Sequence, residues 1–96
     1  MSPLKRKKLN KIRLKLDKLD NSLLKLIKKR TNLVNQVLEL KDKKKEIIDN
    51  KRIKKILKNI RKKSLENKID PKITNRIWKN MIWSYIDYEK RNFNKK

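Results

Sequence analysis

From Leu9 to Leu40 the apolar residues Leu9, Ile12, Leu16, Leu19, Leu23, Leu26, Leu33, Val37 and Leu40 recur at steps built from three and four. That spacing gathers them on one side of an α-helix, whereas a strand would scatter them over two faces. Ser2 followed by Pro3 suits a helix start and nothing before Lys41 interrupts the pattern, so a helix is expected from about Leu4 to Lys41 or slightly beyond. Such a helix is ~55 Å long at ~1.5 Å per residue, while a compact chain of this size has a diameter on the order of 30 Å. The leucine seam therefore outruns what one chain can cover, and the sequence predicts a homodimer whose long helices pair with each other.

One seam position breaks the rule: in "LIKKRTNLV" the slot due for an apolar side chain holds Arg30. A buried cation is costly unless an anion meets it. A register-setting ion pair and a snorkelling side chain are both open readings. Lys41 adds a third. Eleven residues at 100° each return to within about 20° of the start, so Arg30 and Lys41 share a helix face ~16 Å apart along the axis, a separation that two long cationic side chains can close around a small dianion. Arg13 lies ~25 Å before Arg30 on the same helix, too far to share one small ligand within a subunit. In an antiparallel dimer, Arg13 of the second copy reaches the site instead.

"DKKKEII" reads as a charged connector. "DNKRIKKILKNI" is a shorter helix, with Asp49 or Asn50 as its N-cap and Ile53, Ile56, Leu57 and Ile60 as its apolar face. After the break at "ENKIDPKI", Asp70 as N-cap and Pro71 at the first helical position start a third helix with Ile73, Ile77, Trp78, Met81, Ile82, Tyr85 and Ile86 inward. Glu89 falls on the stripe of Trp78, Ile82, Tyr85 and Phe93, which places a carboxyl on an apolar face; a salt bridge to one of the many cations and a functional role both account for it. The expected fold is all-α: three helices per chain, one long, one short and one medium, intertwined in a dimeric bundle. Residues 1–96 form one domain, with a basic extension over 1–8 and a tail over 94–96.

The chain carries 32 Lys and Arg against 10 Asp and Glu, for a net charge of +22, yet contains no Gly and no Ala. Lys, Asn and Ile are over-used as they are when a coding sequence drifts towards A and T, so the bulk charge is weak testimony and nucleic acid is not the expected partner; a basic helical nucleic-acid-binding protein, prompted by the charge and by Trp and Tyr among the cations, is the low-ranked alternative of another class. With no Cys and no His, the chain lacks thiolate ligands, the usual metal ligand and a neutral-pH base, which disfavours metal and most hydrolytic chemistry. No apolar run approaches ~18 residues and the basic start has no apolar core, so neither a membrane span nor a signal peptide is expected, and the location expected is cytoplasmic.

These residues together resemble the all-helical chorismate mutase family. "LNKIRLKLDKLDNSLLKLIKKRTNLVNQVLELK" is similar to that family's first helix, "DNKRIKKIL" to the start of its second, and "IDPKITNRIWKNMIWSYIDYE" to its third. The resemblance implies a cofactor-free isomerase converting the dianion chorismate to prephenate for phenylalanine and tyrosine synthesis. It implies that Arg30, Lys41 and the second copy's Arg13 grip the substrate, and that Arg52 and the Asp49 backbone line the second-helix side of the pocket. Glu89 stands where the family has Gln or Glu, and would hydrogen-bond the ether oxygen together with Lys41. A Glu donates there only when protonated, so turnover is expected to be favoured at acidic pH.

Three positions depart from the family. Ile53 stands where mutases usually carry a Glu for the substrate hydroxyl. The connector over 42–48 is one residue short. Tyr85 stands where a Ser often meets a carboxylate, with Ser84 one place off. The first two features resemble the isochorismate pyruvate lyases of the same fold, which are the alternative activity.

Overall fold

The computed structural model describes residues 1–94. It contains α1 (Pro3–Leu40), α2 (Asn50–Glu66) and α3 (Pro71–Asn92), with a single 3-10 turn at Lys44–Ile47 and no strand among the described residues. The expected all-α, three-helix fold is borne out. The tail assigned to 94–96 falls, from residue 95 on, outside the described residues. The chain divides into two compact units, Met1–Leu33 and Val34–Lys96.

The first unit is helical from Pro3 onward. Ser2 caps it: its Oγ accepts from the Lys5 N–H at 3.2 Å, satisfying one of the otherwise orphaned amides of the first turn, and its carbonyl accepts the first helical bond, from the Arg6 N–H at 2.9 Å. Pro3 costs nothing at this position because its missing N–H would have no partner there. The seam leucines are uncovered in the single chain: Leu16, Leu19, Leu23 and Leu26 are 52–62% exposed. Arg30 is half-buried.

The second unit contains the core. Leu38 near the end of α1, Ile47 of the 3-10 turn, and Ile82 and Ile86 of α3 are buried together, flanked by Ile53, Ile56, Leu57 and Phe93. Helix α1 stops one residue earlier than the periodicity predicts, because the Lys41 N–H bonds the Leu38 carbonyl at 3.1 Å, three residues back, and the i−4 ladder is lost. The connector is not featureless: Glu46 folds back so that its carboxylate accepts from the Asp42 N–H at 3.0 Å, closing the 3-10 turn that seats Ile47 in the core. Both expected caps form, Asp49 Oδ1 accepting from the Arg52 N–H at 3.0 Å and Asp70 Oδ1 from the Lys72 N–H at 2.9 Å, with Pro71 opening α3.

Between α2 and α3 the chain turns through a Schellman motif. The Ile69 N–H bonds the Ser64 carbonyl at 2.8 Å and the Lys68 N–H bonds the Leu65 carbonyl at 3.2 Å. That motif places Lys68 at φ 56°, a left-handed conformation that glycine adopts freely and lysine only at a cost. Behind the turn the Ser64 hydroxyl donates to the Ile60 carbonyl at 2.6 Å. The buried Thr74 hydroxyl, 2.7 Å from Ser64 Oγ, is left as the donor between the two, so both helices are pinned at this corner.

One expectation fails. Ile73 and Ile77, read as inward, are 55% and 52% exposed, because the core is met by the nearly opposite face of α3, which carries Ile82, Ile86 and Glu89. Periodicity marks an apolar stripe without saying which surface covers it.

Candidate active site

The buried face of α3 delivers one carboxyl group, Glu89, to the second unit's interior. Lys41, the first residue past α1, reaches it: Nζ donates to Glu89 Oε1 at 2.9 Å, with the two side chains 18% and 8% exposed. A carboxylate so withdrawn from water needs a charged, hydrogen-bonded partner, and the ammonium supplies one within the charge-assisted range. Lys41 also sits at the C-terminal end of α1, where the helix dipole favours a cation. The salt bridge anticipated for Glu89 from sequence is therefore present, and its partner is the lysine singled out independently.

Aromatic rings flank Glu89 along α3. Tyr85, one turn earlier, meets Tyr88 edge to face at 6.3 Å between centroids. The Tyr88 hydroxyl donates to Asn35 Oδ1 at 2.8 Å, a second tie between the last turns of α3 and of α1 beside the Lys41–Glu89 pair. Outside them, the Arg91 guanidinium lies 6.0 Å from the Tyr88 ring centre and its Nε donates to Asp87 at 2.9 Å. Sequence reasoning missed Tyr88 and Asn35. They lie 53 residues apart, and only the position of Tyr88 beside Glu89 hinted at a role.

At the start of α2, the side chain of Arg52 is exposed while its backbone N–H is held by Asp49. The Asp49 carbonyl accepts from the Ile53 N–H at 3.0 Å, so both polar ends of Asp49 serve the helix start. Ile53 packs against the core cluster, as an apolar wall rather than a polar contact. Lys41, Asp49, Arg52, Ile53, Tyr85 and Glu89 thus all belong to the second unit, while Arg13, exposed, and Arg30, half-buried, belong to the first. Among the described residues no group of His, Cys, Asp and Glu is arranged to hold a metal ion, and no helix is long and apolar enough to cross a membrane.

A sequence model of the family described as chorismate mutase type II matches residues 12–90, most of the chain, a span that includes Arg13, Arg30, Lys41, Asp49, Arg52, Ile53, Tyr85 and Glu89. The chain belongs to the chorismate mutase type II family. Membership makes it an enzyme, an isomerase of the chorismate mutase kind. No curated protein and no solved structure matches the chain. For a chorismate mutase the Lys41–Glu89 pair is chemically apt. It offers an ammonium and a carboxyl in a site largely screened from water, where hydrogen bonds to developing charge are strongest.

Proposed function

We propose that the chain catalyses the rearrangement of chorismate to prephenate, in the cytoplasm and in the service of phenylalanine and tyrosine synthesis, as a homodimer. The observation that carries this reading is the Lys41–Glu89 pair, buried at 2.9 Å in a chorismate mutase type II chain. The reaction is unimolecular and pericyclic: the ether C–O bond breaks as a C–C bond forms, with no proton, nucleophile, metal or cofactor consumed. An enzyme accelerates it by holding the dianion in the reactive chair and by stabilising negative charge on the ether oxygen.

In this reading Arg30 and Arg13 of the second copy bind the two carboxylates, and Arg52 and the Asp49 backbone close the second-helix side, with Tyr85 and Ile53 as walls. Lys41 donates to the ether oxygen, and Glu89, which accepts from Lys41 Nζ at 2.9 Å, holds the ammonium in place. The dimer is supported by the uncovered seam of Leu16, Leu19, Leu23 and Leu26, an apolar stripe that a single chain leaves in water.

A second reading, isochorismate pyruvate lyase, is favoured by one observation: Ile53 packs on the core where a mutase usually presents a carboxylate to the substrate hydroxyl. Incubation of the purified protein with each substrate separates the two. Prephenate from chorismate is expected; salicylate and pyruvate from isochorismate, with no prephenate, would reverse the order.

A further inference from the structure

The bulk charge of this chain says little, but its arrangement on the outer face of α2 and α3 says more. On α2, Lys51, Lys55, Lys58 and Lys62 follow one another at steps of four, three and four, all exposed, along the side opposite Ile53, Ile56 and Ile60. On α3, Lys72, Arg76, Lys79 and Trp83 repeat the same steps, again exposed. The two helices pack on each other. Where they meet, Lys58 and Arg61 of α2 and Lys72 of α3 line one groove of about 430 Å³, so the two stripes join.

Among the described residues, none of these cations forms a salt bridge. The nearby carboxylates are few. Glu66 lies one turn beyond Lys62, Asp70 is engaged by the Lys72 N–H, and Asp87 is held by Arg91. Within this cationic face Trp83 is 53% exposed. An A/T-rich coding drift supplies lysine freely, but not tryptophan, whose only codon carries two G. An exposed indole in register with three cations is therefore the part of the pattern that drift does not explain.

From this juxtaposition we infer that the α2–α3 face binds single-stranded nucleic acid, a function separate from catalysis. The groove cations track the phosphates and Trp83 offers a stacking platform, the combination by which strands are held without regard to sequence. A single strand is preferred over a duplex because only unpaired bases can stack on an indole. It is preferred over a lipid surface because Trp83 stands alone as the exposed aromatic within the stripe, without the continuous apolar face that membrane insertion needs.

The test is fluorescence anisotropy of a labelled oligothymidylate titrated with the intact protein at several salt concentrations. Five cations of the groove and of the α3 stripe that ends at Trp83 (Lys58, Arg61, Lys72, Arg76 and Lys79) predict a slope of log K against log salt of about −3.5, and Lys72→Gln/Arg76→Gln/Lys79→Gln together should flatten it by about 2. Trp83→Ala should weaken binding by about tenfold or more with the slope unchanged, as loss of one stacked base does. Lys5→Gln/Arg6→Gln/Lys7→Gln removes the same charge elsewhere and should leave both quantities close to those of the parent. Equal losses in the two triple variants, undiminished binding by Trp83→Ala, or displacement of the oligonucleotide by anionic vesicles at matched charge would each overturn the assignment. Turnover of chorismate is expected to be unaffected in the stripe variants, so this inference and the catalytic one fail independently.

Discussion

Replacement of Glu89 by Gln is the sharpest perturbation of the site, because it exchanges a carboxyl oxygen for a donor while preserving shape. In the parent, Oε1 accepts from Lys41 Nζ at 2.9 Å. A Gln carbonyl accepts the same bond, and its amide adds an N–H for the ether oxygen. With the Glu89 side chain only 8% exposed, that donor works in a largely dry site, where a single one is worth about 10²–10³ in rate. Glu89→Gln should therefore retain or exceed the kcat/KM of the parent, whereas Glu89→Ala, which removes the partner of Lys41 and leaves no donor, should lower it by about 10²-fold or more. The assay is continuous disappearance of chorismate. Thermal unfolding serves as a control, since leaving the Lys41 ammonium without its carboxylate costs up to about 3–5 kcal/mol. Turnover by folded Glu89→Ala equal to that of the parent would refute the reasoning.

Three further perturbations test the remaining elements. Arg30→Ala should lower kcat/KM by at least about 10²-fold, the loss expected when a charged clamp on a substrate carboxylate is removed. A purely structural Arg30 predicts unaltered turnover. Leu19→Asp with Leu23→Asp places two charges on the uncovered seam and should convert a dimer to a partly unfolded monomer, read by sedimentation and circular dichroism; an unchanged mass would reject the pairing of long helices. Lys68→Gly relieves the left-handed strain at φ 56° and should stabilise by about 0.5–1 kcal/mol, a rise of a few degrees in Tm, while Lys68→Ala should give no such gain.

The local grammar of the chain was readable because it rests on short-range chemistry. Asp49 and Asp70–Pro71 announce helix starts through side chains that satisfy amides two or three residues away, and both caps are present. Glu89 stood out because a carboxyl on an apolar stripe demands a partner, and Lys41 proved to be it. What the sequence concealed is long-range. Tyr88 and Asn35 are joined across 53 residues, and nothing local foretells their bond. Ile73 and Ile77 lie nearly half a turn round α3 from Ile82 and Ile86, and the packing of α2 against α3 reveals which pair is covered. The conformation of Lys68 was equally hidden: "ENKIDPKI" signals a break, but without a glycine nothing marked the residue that turns left-handed.

That last residue has a consequence for how such a chain can change. The chain contains no glycine, so the α2–α3 corner keeps the left-handed strain at Lys68, which the Ser64–Thr74 hydroxyl bridge and the two Schellman bonds offset. Ser64 and Thr74 therefore do more than fill the interior, since they hold a turn whose backbone would otherwise relax. From a lysine codon, glycine lies two nucleotide changes away and asparagine, the next best left-handed residue, only one. Asparagine is thus the repair of this turn that a single mutation can reach.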